Sequence, residues 1–225
     1  MPHDRTRTFD FRLSTFNYGR VNGRGLFVVL EGIDGSGTTT QVDILSRDLA
    51  GRGRRVLATR EPSGGPVGRL LREILLGQHR VPDGAAVAGA TMALLFAADR
   101  RDHLQREVEP ALAAGTDVVS DRYLLSSFAY QMEEADRDWV RGLARGVRQP
   151  DVTILLDLPV AIAAQRRRAA GRPEERYDAD ATLEKVAQNY RALAAADPSV
   201  IVLDGAAGVD EVAAAIASAM SDVLP

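Results

Sequence analysis

The sequence predicts an α/β fold: a five-stranded parallel sheet with helices on both faces. Three observations carry this expectation. Five short, nearly unbroken apolar runs recur along the chain, at Leu26–Leu30 (LFVVL), Arg55–Thr59 (RVLAT), Asp117–Ser120 (DVVS), Val152–Asp157 (VTILLD) and Val200–Leu203 (VIVL). Segments of helical period lie between them, and strands buried on both faces read as continuous apolar runs. A glycine-rich segment, Gly32–Gln41 (GIDGSGTTTQ), follows the first run directly.

Each element can be justified in order. Residues 1–24 carry Arg5, Arg7, Arg12, Arg20 and Arg24 against Asp4 and Asp10, with no sustained periodicity. They read as a disordered leader, although Phe9, Phe11, Phe16 and Tyr18 leave room for a segment that docks. One domain is expected over 25–225. After the first strand, Thr38–Ala50 reads as a helix with Val42, Leu45 and Leu49 on one side. The second strand leads through the loop Glu61–Pro66 into a helix at Pro66–Leu76. A long helix follows from about Thr91 to Ala114, with a bend expected near Pro110. The third strand ends in Asp121–Arg122–Tyr123, and helices follow near Ser126–Met132 and Asp138–Val147. The fourth strand leads to the helix Val160–Ala170, the charged segment Gly171–Asp180 and the helix Thr182–Ala195. The fifth strand and a helix at Val209–Val223 complete the chain. In such folds the ligand crevice lies at the carboxyl ends of the strands. The unusual motifs Gly32–Thr39, Arg60–Gly65 and Asp121–Arg122 all fall there.

The first of these motifs reads as a phosphate-binding loop. Gly32, Gly37 and Thr39 fit G-x-x-x-x-G-K-[ST], and Thr38 stands where the pattern has lysine. Backbone N–H groups of Gly35–Thr39 can wrap a phosphate chain, helped by the following helix N-terminus. The Thr39 hydroxyl can serve Mg²⁺. The absent lysine removes a point charge, and losing one preorganised donor costs on the order of 10²–10³ in rate. Lys185 is the only lysine in the chain, so almost any replacement cation is an arginine. Three readings are open here. An arginine fills the gap, transfer is slow or uses another phosphate donor, or the site binds nucleotides without transfer.

Composition narrows the partners. The net charge of −3 gives no basic balance that would point to nucleic acid. The chain has no cysteine, which excludes disulfides and thiolate chemistry, and its three histidines, His3, His79 and His103, are scattered. No apolar run approaches the roughly 20 residues of a membrane span. Small-molecule nucleotides and a cytoplasmic location are expected, with neither nucleic acid nor membrane as a partner.

The segments LEGIDGSGTTTQ, TREPSGG, LLFAADRRDH, VVSDRYLLSSFAYQ, and ILLDLP followed by an arginine-rich stretch ending in ERYD occur in this order. Together, across about Gly25–Val223, they make the chain resemble the bacterial type of thymidylate kinase. The resemblance implies a P-loop nucleoside monophosphate kinase fold, Mg²⁺-dependent transfer from ATP to dTMP giving dTDP, and a homodimer. It assigns the donor phosphates to Gly32, Gly35, Ser36, Gly37, Thr38, Thr39 and Thr40, and the metal to Thr39 and Asp121. It gives Arg122 the acceptor phosphate, where a surface ion pair at a strand end is the plainer alternative. Phe96 and Arg100, four apart on one helix, would stack on the base and bond its edge, although Phe96 also suits a core position. Asp34 would lie near the acceptor's sugar and phosphate. Ser127, Tyr130 and Gln131 would line the sugar and base pocket, and Arg60, Glu61 and Pro62 the loop over the acceptor phosphate. That loop departs from the family's two glycines and a threonine, since Ser63, Gly64 and Gly65 follow. Arg166, Arg167, Arg168, Arg172 and Arg176 fall in the family's lid, near 166–180. Arg166 and Arg168 are the expected catalytic pair, beside Asp34 and Arg122, with Arg176 structural. A nucleotide-binding protein without turnover and a kinase for another pyrimidine monophosphate are the rival readings.

Overall fold

Burial on both faces makes one parallel sheet of the five apolar runs. The computed structural model describes residues 23–171, 173 and 175–221. The leader reading over residues 1–22 and the lid residue Arg172 lie outside them. The strands are β1 (Phe27–Glu31), β2 (Val56–Arg60), β3 (Asp117–Asp121), β4 (Val152–Asp157) and β5 (Val200–Asp204). They pair in parallel in the order β2-β3-β1-β4-β5. The helices are α1 (Thr38–Gly51), α2 (Pro66–Leu75), α3 (Gly89–His103), α4 (Glu109–Ala113), α5 (Leu124–Gln131), α6 (Arg137–Leu143), α7 (Val160–Ala169), α8 (Asp180–Ala196) and α9 (Val209–Ser221).

The period of two along β1 divides the core. Phe27 and Val29 join Val118, Leu104, Val108, Leu112 and Phe128 on one face. Val28 and Leu30 join Val119 and Ile154 on the other, under Val42, Leu45 and Leu49 of α1 and Val212, Ile216 and Met220 of α9. A third cluster, with Leu71, Ile74, Tyr130, Tyr177, Leu183 and Tyr190, packs helices α2, α5 and α8 beside the carboxyl edge of the sheet.

Four strands run one residue past their apolar segments, to Glu31, Arg60, Asp121 and Asp204. The ladder bonds backbone to backbone, so a charge does not end it while its side chain has somewhere to go. The register sets Leu30 beside Asp121 and Arg60 beside Asp121, which lines up charged residues at the central carboxyl edge. The irregularity expected at Pro110 is a π-helical turn, Leu104–Val108, between α3 and α4. Pro110 offers no N–H to the Arg106 carbonyl and its ring crowds it, and the widened turn just ahead makes room. Arg24, read with the leader, is instead fastened to the domain. Its guanidinium donates to Asp151 at 2.8 and 2.5 Å, and Asp151 also accepts the Phe27 N–H at 2.8 Å. The starts of β1 and β4 are thereby tied together.

Candidate active site

The loop between β1 and α1 is shaped by glycines at two points. Gly37 sits at φ 96 immediately before α1 and lets the chain turn into the helix without a side-chain cap. Gly35 sits at φ 91, and a Cβ there would stand 2.4 Å from the Ala163 carbonyl oxygen. Helix α7 is therefore seated directly on the loop. Gly32 does not line the cleft, and a Cβ there would stand 2.6 Å from Ser36 Oγ. Thr38, Thr39 and Thr40 open α1, so their N–H groups have no intrahelical acceptors and present a ready anion site.

Two oxygen groups meet beside this helix end. Thr39 Oγ1 donates to Asp121 Oδ2 at 2.5 Å, and Asp121 Oδ1 is buried with no hydrogen-bond partner among the described residues. An orphaned carboxylate oxygen beside a threonine hydroxyl fits a hydrated Mg²⁺, which takes one or two protein oxygens and completes its shell with water and phosphate. Among the described residues no three His, Cys, Asp or Glu side chains gather to hold a metal by themselves.

Across the cleft, Asp34 joins the phosphate loop to a second set of groups. Arg122 Nη2 donates to Asp34 Oδ1 at 3.1 Å, and the Tyr130 hydroxyl donates to Oδ2 at 3.2 Å. Arg122 adopts φ 69, a left-handed conformation that is costly for a long side chain. Its N–H bonds the Leu30 carbonyl at 2.8 Å, and its guanidinium lies 5.5 Å from the centre of the Tyr130 ring. Burial works against its charge, but Asp34 foremost outweighs this and holds the guanidinium above its ordinary range. Burial pushes the Tyr130 hydroxyl up as well, so it stays a neutral donor. Beneath them Glu31 is fully buried. It accepts Tyr123 N–H at 3.0 Å, Leu125 N–H at 3.1 Å and Ser126 Oγ at 2.5 Å, and burial raises its carboxyl above the usual range despite those bonds.

One cavity of about 690 Å³ contains both sets. Phe96 and Arg100 line it from α3, Ser127, Tyr130 and Gln131 from α5, and Arg60 and Pro62 from the loop after β2. Gln131 Oε1 is buried without a partner among the described residues. Arg72, which the sequence reading passed over, also lines the cleft. Its guanidinium donates to the Pro62 carbonyl and, at 3.3 Å, to that of Ser63. Burial, then the charge of Arg60, lowers its affinity for a proton. Two neighbouring cations at this end of the cleft suit a phosphate.

Of the three α7 arginines, Arg166 and Arg167 line the cleft. Arg166 donates to the carbonyls of Gly205, Ala206 and Ala207 at 2.7, 3.1 and 3.2 Å. Arg167 Nη1 donates to the Asp34 carbonyl in the phosphate loop at 2.8 Å, and the side chain pairs with Asp178 at 3.3 Å and Asp180 at 3.5 Å. Arg168 is exposed and does not line the cleft. At 100° per residue, Arg168 is carried far round the helix from Arg166, while Arg167 follows Ala163 by one turn. Arg176 pairs with Glu134 at 3.0 Å and lies 5.6 Å from the centre of the Tyr177 ring. Both Arg72 and Arg167 had a signal in their phase: Arg72 follows buried Gly68 by four, as Arg167 follows Ala163. Gln41 and Val209, also in the cleft, are joined by a bond of 2.9 Å from Nε2 to the carbonyl.

The family model described as thymidylate kinase matches residues 30–216. A protein of Pyrococcus abyssi named "Probable thymidylate kinase" is 42% identical over 191 residues, covering 84% of this chain and 92% of its own. The thymidylate kinase of Thiobacillus denitrificans is 42% identical over 213 residues, 88% of this chain and 98% of its own. That of Geotalea uraniireducens is 38% identical over 209 residues, 87% and 96% respectively. The sheet, its order and the loop after β1 make up the P-loop nucleoside monophosphate kinase fold. With likeness of this extent over nearly all of the described domain, the chain belongs to the thymidylate kinase family.

Proposed function

We propose that this protein transfers the γ-phosphoryl group of ATP to dTMP, giving ADP and dTDP. The observation that carries the reading is the Asp34–Arg122 pair. It stands between a phosphate loop on one side and a pocket with an aromatic ring and a guanidinium on the other, within one cavity. An oxygen of the acceptor phosphate attacks the γ-phosphorus, and the bond to the β–γ bridging oxygen breaks. Such transfer needs positioning and charge neutralisation more than covalent help. The α1 N-terminus holds the donor phosphates. Arg122, Arg60 and Arg72 hold the acceptor phosphate, Phe96 stacks on the base and Arg100 bonds its edge. Tyr130 closes the pocket beside the sugar. Thr39 and Asp121 are the residues that would hold Mg²⁺, which would supply charge neutralisation to the donor phosphates.

Thr38 replaces the phosphate-loop lysine in this reading, and Arg167 supplies charge in its place. Two features support that choice: α7 is seated on Gly35, and Arg167 reaches the loop's own backbone. We place the reaction in the cytoplasm, in keeping with its nucleotide substrates, and no helix of the described residues is long and apolar enough to cross a membrane. The resemblance supports a homodimer, which sedimentation at twice the 24.2 kDa chain mass would register. The deciding measurement is ADP release with ATP, Mg²⁺ and dTMP, for the wild type and Thr38→Lys. Steady turnover by the wild type with little gain from lysine is expected. A silent wild type that binds dTMP and is restored by lysine would make the protein a nucleotide-binding module, and preference for dUMP in a substrate panel would change the acceptor.

A further inference from the structure

Behind the acceptor pocket, Thr59, His103 and Glu61 form a chain of polar groups that ends on Arg100, and the reaction described so far gives His103 and Thr59 no part. Thr59 and Glu61 flank Arg60 at the end of β2. Their side chains meet α3, while Arg60 lines the cleft. On α3, Arg100 and His103 are three residues apart and share a face. Glu61, Arg100 and His103 are 5%, 3% and 2% exposed. Arg100 Nε donates to Glu61 Oε2 at 3.0 Å, and His103 Nδ1 lies 3.3 Å from Glu61 Oε1. His103 Nε2 lies 2.8 Å from Thr59 Oγ1 and 3.3 Å from Glu107 Oε2. Arg100 Nη2 is taken up by the Tyr123 carbonyl at 3.2 Å and Ser127 Oγ at 2.5 Å. Arg100 also lines the cleft.

Ionisable groups this dry gain little stability over a packed apolar trio, because desolvation offsets their attraction. What they do supply is a fixed position. A guanidinium in a pocket has several rotamers, and one that must meet a base edge loses affinity if it wanders. We propose that His103 is a positioning residue for the acceptor: anchored by Thr59, it fixes the Glu61 carboxylate, and Glu61 fixes Arg100 in the base pocket. The relay does not depend on which charge state His103 holds. With two protons it donates to both sides. With one, Nδ1–H still donates to Glu61 and Nε2 accepts the Thr59 hydroxyl. The groups that face the ring, Glu61, Glu107, Asp99 and Arg100, include three carboxylates. Burial disfavours the imidazolium, but Glu61 first, then Glu107 and Asp99, outweigh it and favour the doubly protonated form.

This inference rests on reading Arg100 as a base-binding residue, and the test separates the two. Steady-state kinetics of the full chain with ATP and dTMP would compare His103→Leu, His103→Asn, Thr59→Val and Arg100→Ala. Leucine removes both bonds of the ring, whereas asparagine keeps a donor where Nδ1 stands. His103→Leu is expected to raise the KM for dTMP about 10-fold or more, as loss of a charge-assisted bond would. The KM for ATP and kcat should stay within about threefold, since the interaction lies in binding rather than in the transition state. His103→Asn should recover most of the loss, and Thr59→Val, nearly isosteric, should show a smaller rise in the same KM. If His103→Leu does not fold, the asparagine and valine variants decide: a rise with Thr59→Val that His103→Asn does not exceed supports the relay. An unchanged KM for dTMP in every folded relay variant, or kcat and both KM values shifting together, overturns it. If Arg100→Ala itself leaves the KM for dTMP unchanged, the base-site reading fails instead.

Discussion

Thr38 is buried at the first position of α1, and its hydroxyl is too short to reach along a phosphate chain as a lysine would. Arg167 is the α7 arginine that touches the phosphate loop. Arg166 is committed to three carbonyls after β5, and Arg168 faces solvent. If Arg167 carries the charge, position 38 and position 167 must be coupled, and a double-mutant cycle measures that coupling. Arg167→Ala is expected to lower kcat by about 10²–10³, the loss typical of one preorganised donor. Thr38→Lys should restore most of it in that background while adding little to the wild type, and Arg168→Ala should stay near wild type. Additive effects at 38 and 167 would assign the charge to another cation. Residue by residue, the sequence located those candidates that a local pattern marks. Thr39 with Asp121, Asp34 with Arg122, and Phe96 with Arg100 are all gathered in the one cavity. Glu31 and Arg72 escaped it, and Arg167 stood out from the other lid arginines only in the structure, because their contacts depend on strand pairing and helix phase, which no short motif records.

Helix α7 and the phosphate loop form a single bearing surface, and the two loop glycines test it separately. Gly35 at φ 91 and Gly37 at φ 96 carry similar backbone strain for any other residue, on the order of 1–3 kcal/mol. A Cβ at Gly37 would meet nothing within 4 Å, whereas one at Gly35 would press on the Ala163 carbonyl. Gly35→Ala should therefore destabilise more than Gly37→Ala and push α7, with Arg167, off the loop. At about 2–4 °C per kcal/mol for a chain of this size, several degrees should separate the two melting temperatures. Equal melting temperatures would mean that α7 yields easily and is not seated there. The apolar runs made the sheet legible, because a buried parallel strand has little else it can be. They ended β1, β2, β3 and β5 one residue early, since a run of hydrophobicity stops at the first charge while the ladder does not. Two of those last residues, Arg60 and Asp121, line the cleft, and Glu31 lies beneath it. The π-helical turn was legible only as a disturbance at Pro110, because the wider turn is set by what the helix must clear.

At the scale of the whole molecule, the cleft has two halves that meet at Asp34. In the proposed reaction the donor half is the loop after β1, α7 and the segment before α9, and the acceptor half is the loop after β2, α3 and α5. Each half is held by groups already bonded to one another: Glu31 to the start of α5, Glu61 to α3, and Arg167 to the phosphate loop. A cleft so braced should bind either nucleotide without the other. A ligand that binds only the folded chain adds RT ln(1 + [L]/Kd), about 2.7 kcal/mol at a hundredfold excess over Kd. For a chain of this size that is a rise of roughly 5–10 °C in melting temperature. Thermal melts with dTMP alone and with Mg²⁺ and ATP alone should each show such a rise. Thr38→Lys should enlarge the ATP shift and leave the dTMP shift unchanged, because lysine at 38 would add a donor to one half only. A dTMP shift that appears only when ATP is present would mean that the acceptor half is assembled by the donor. The bracing through Glu31 and Glu61 would then be a property of the closed enzyme alone.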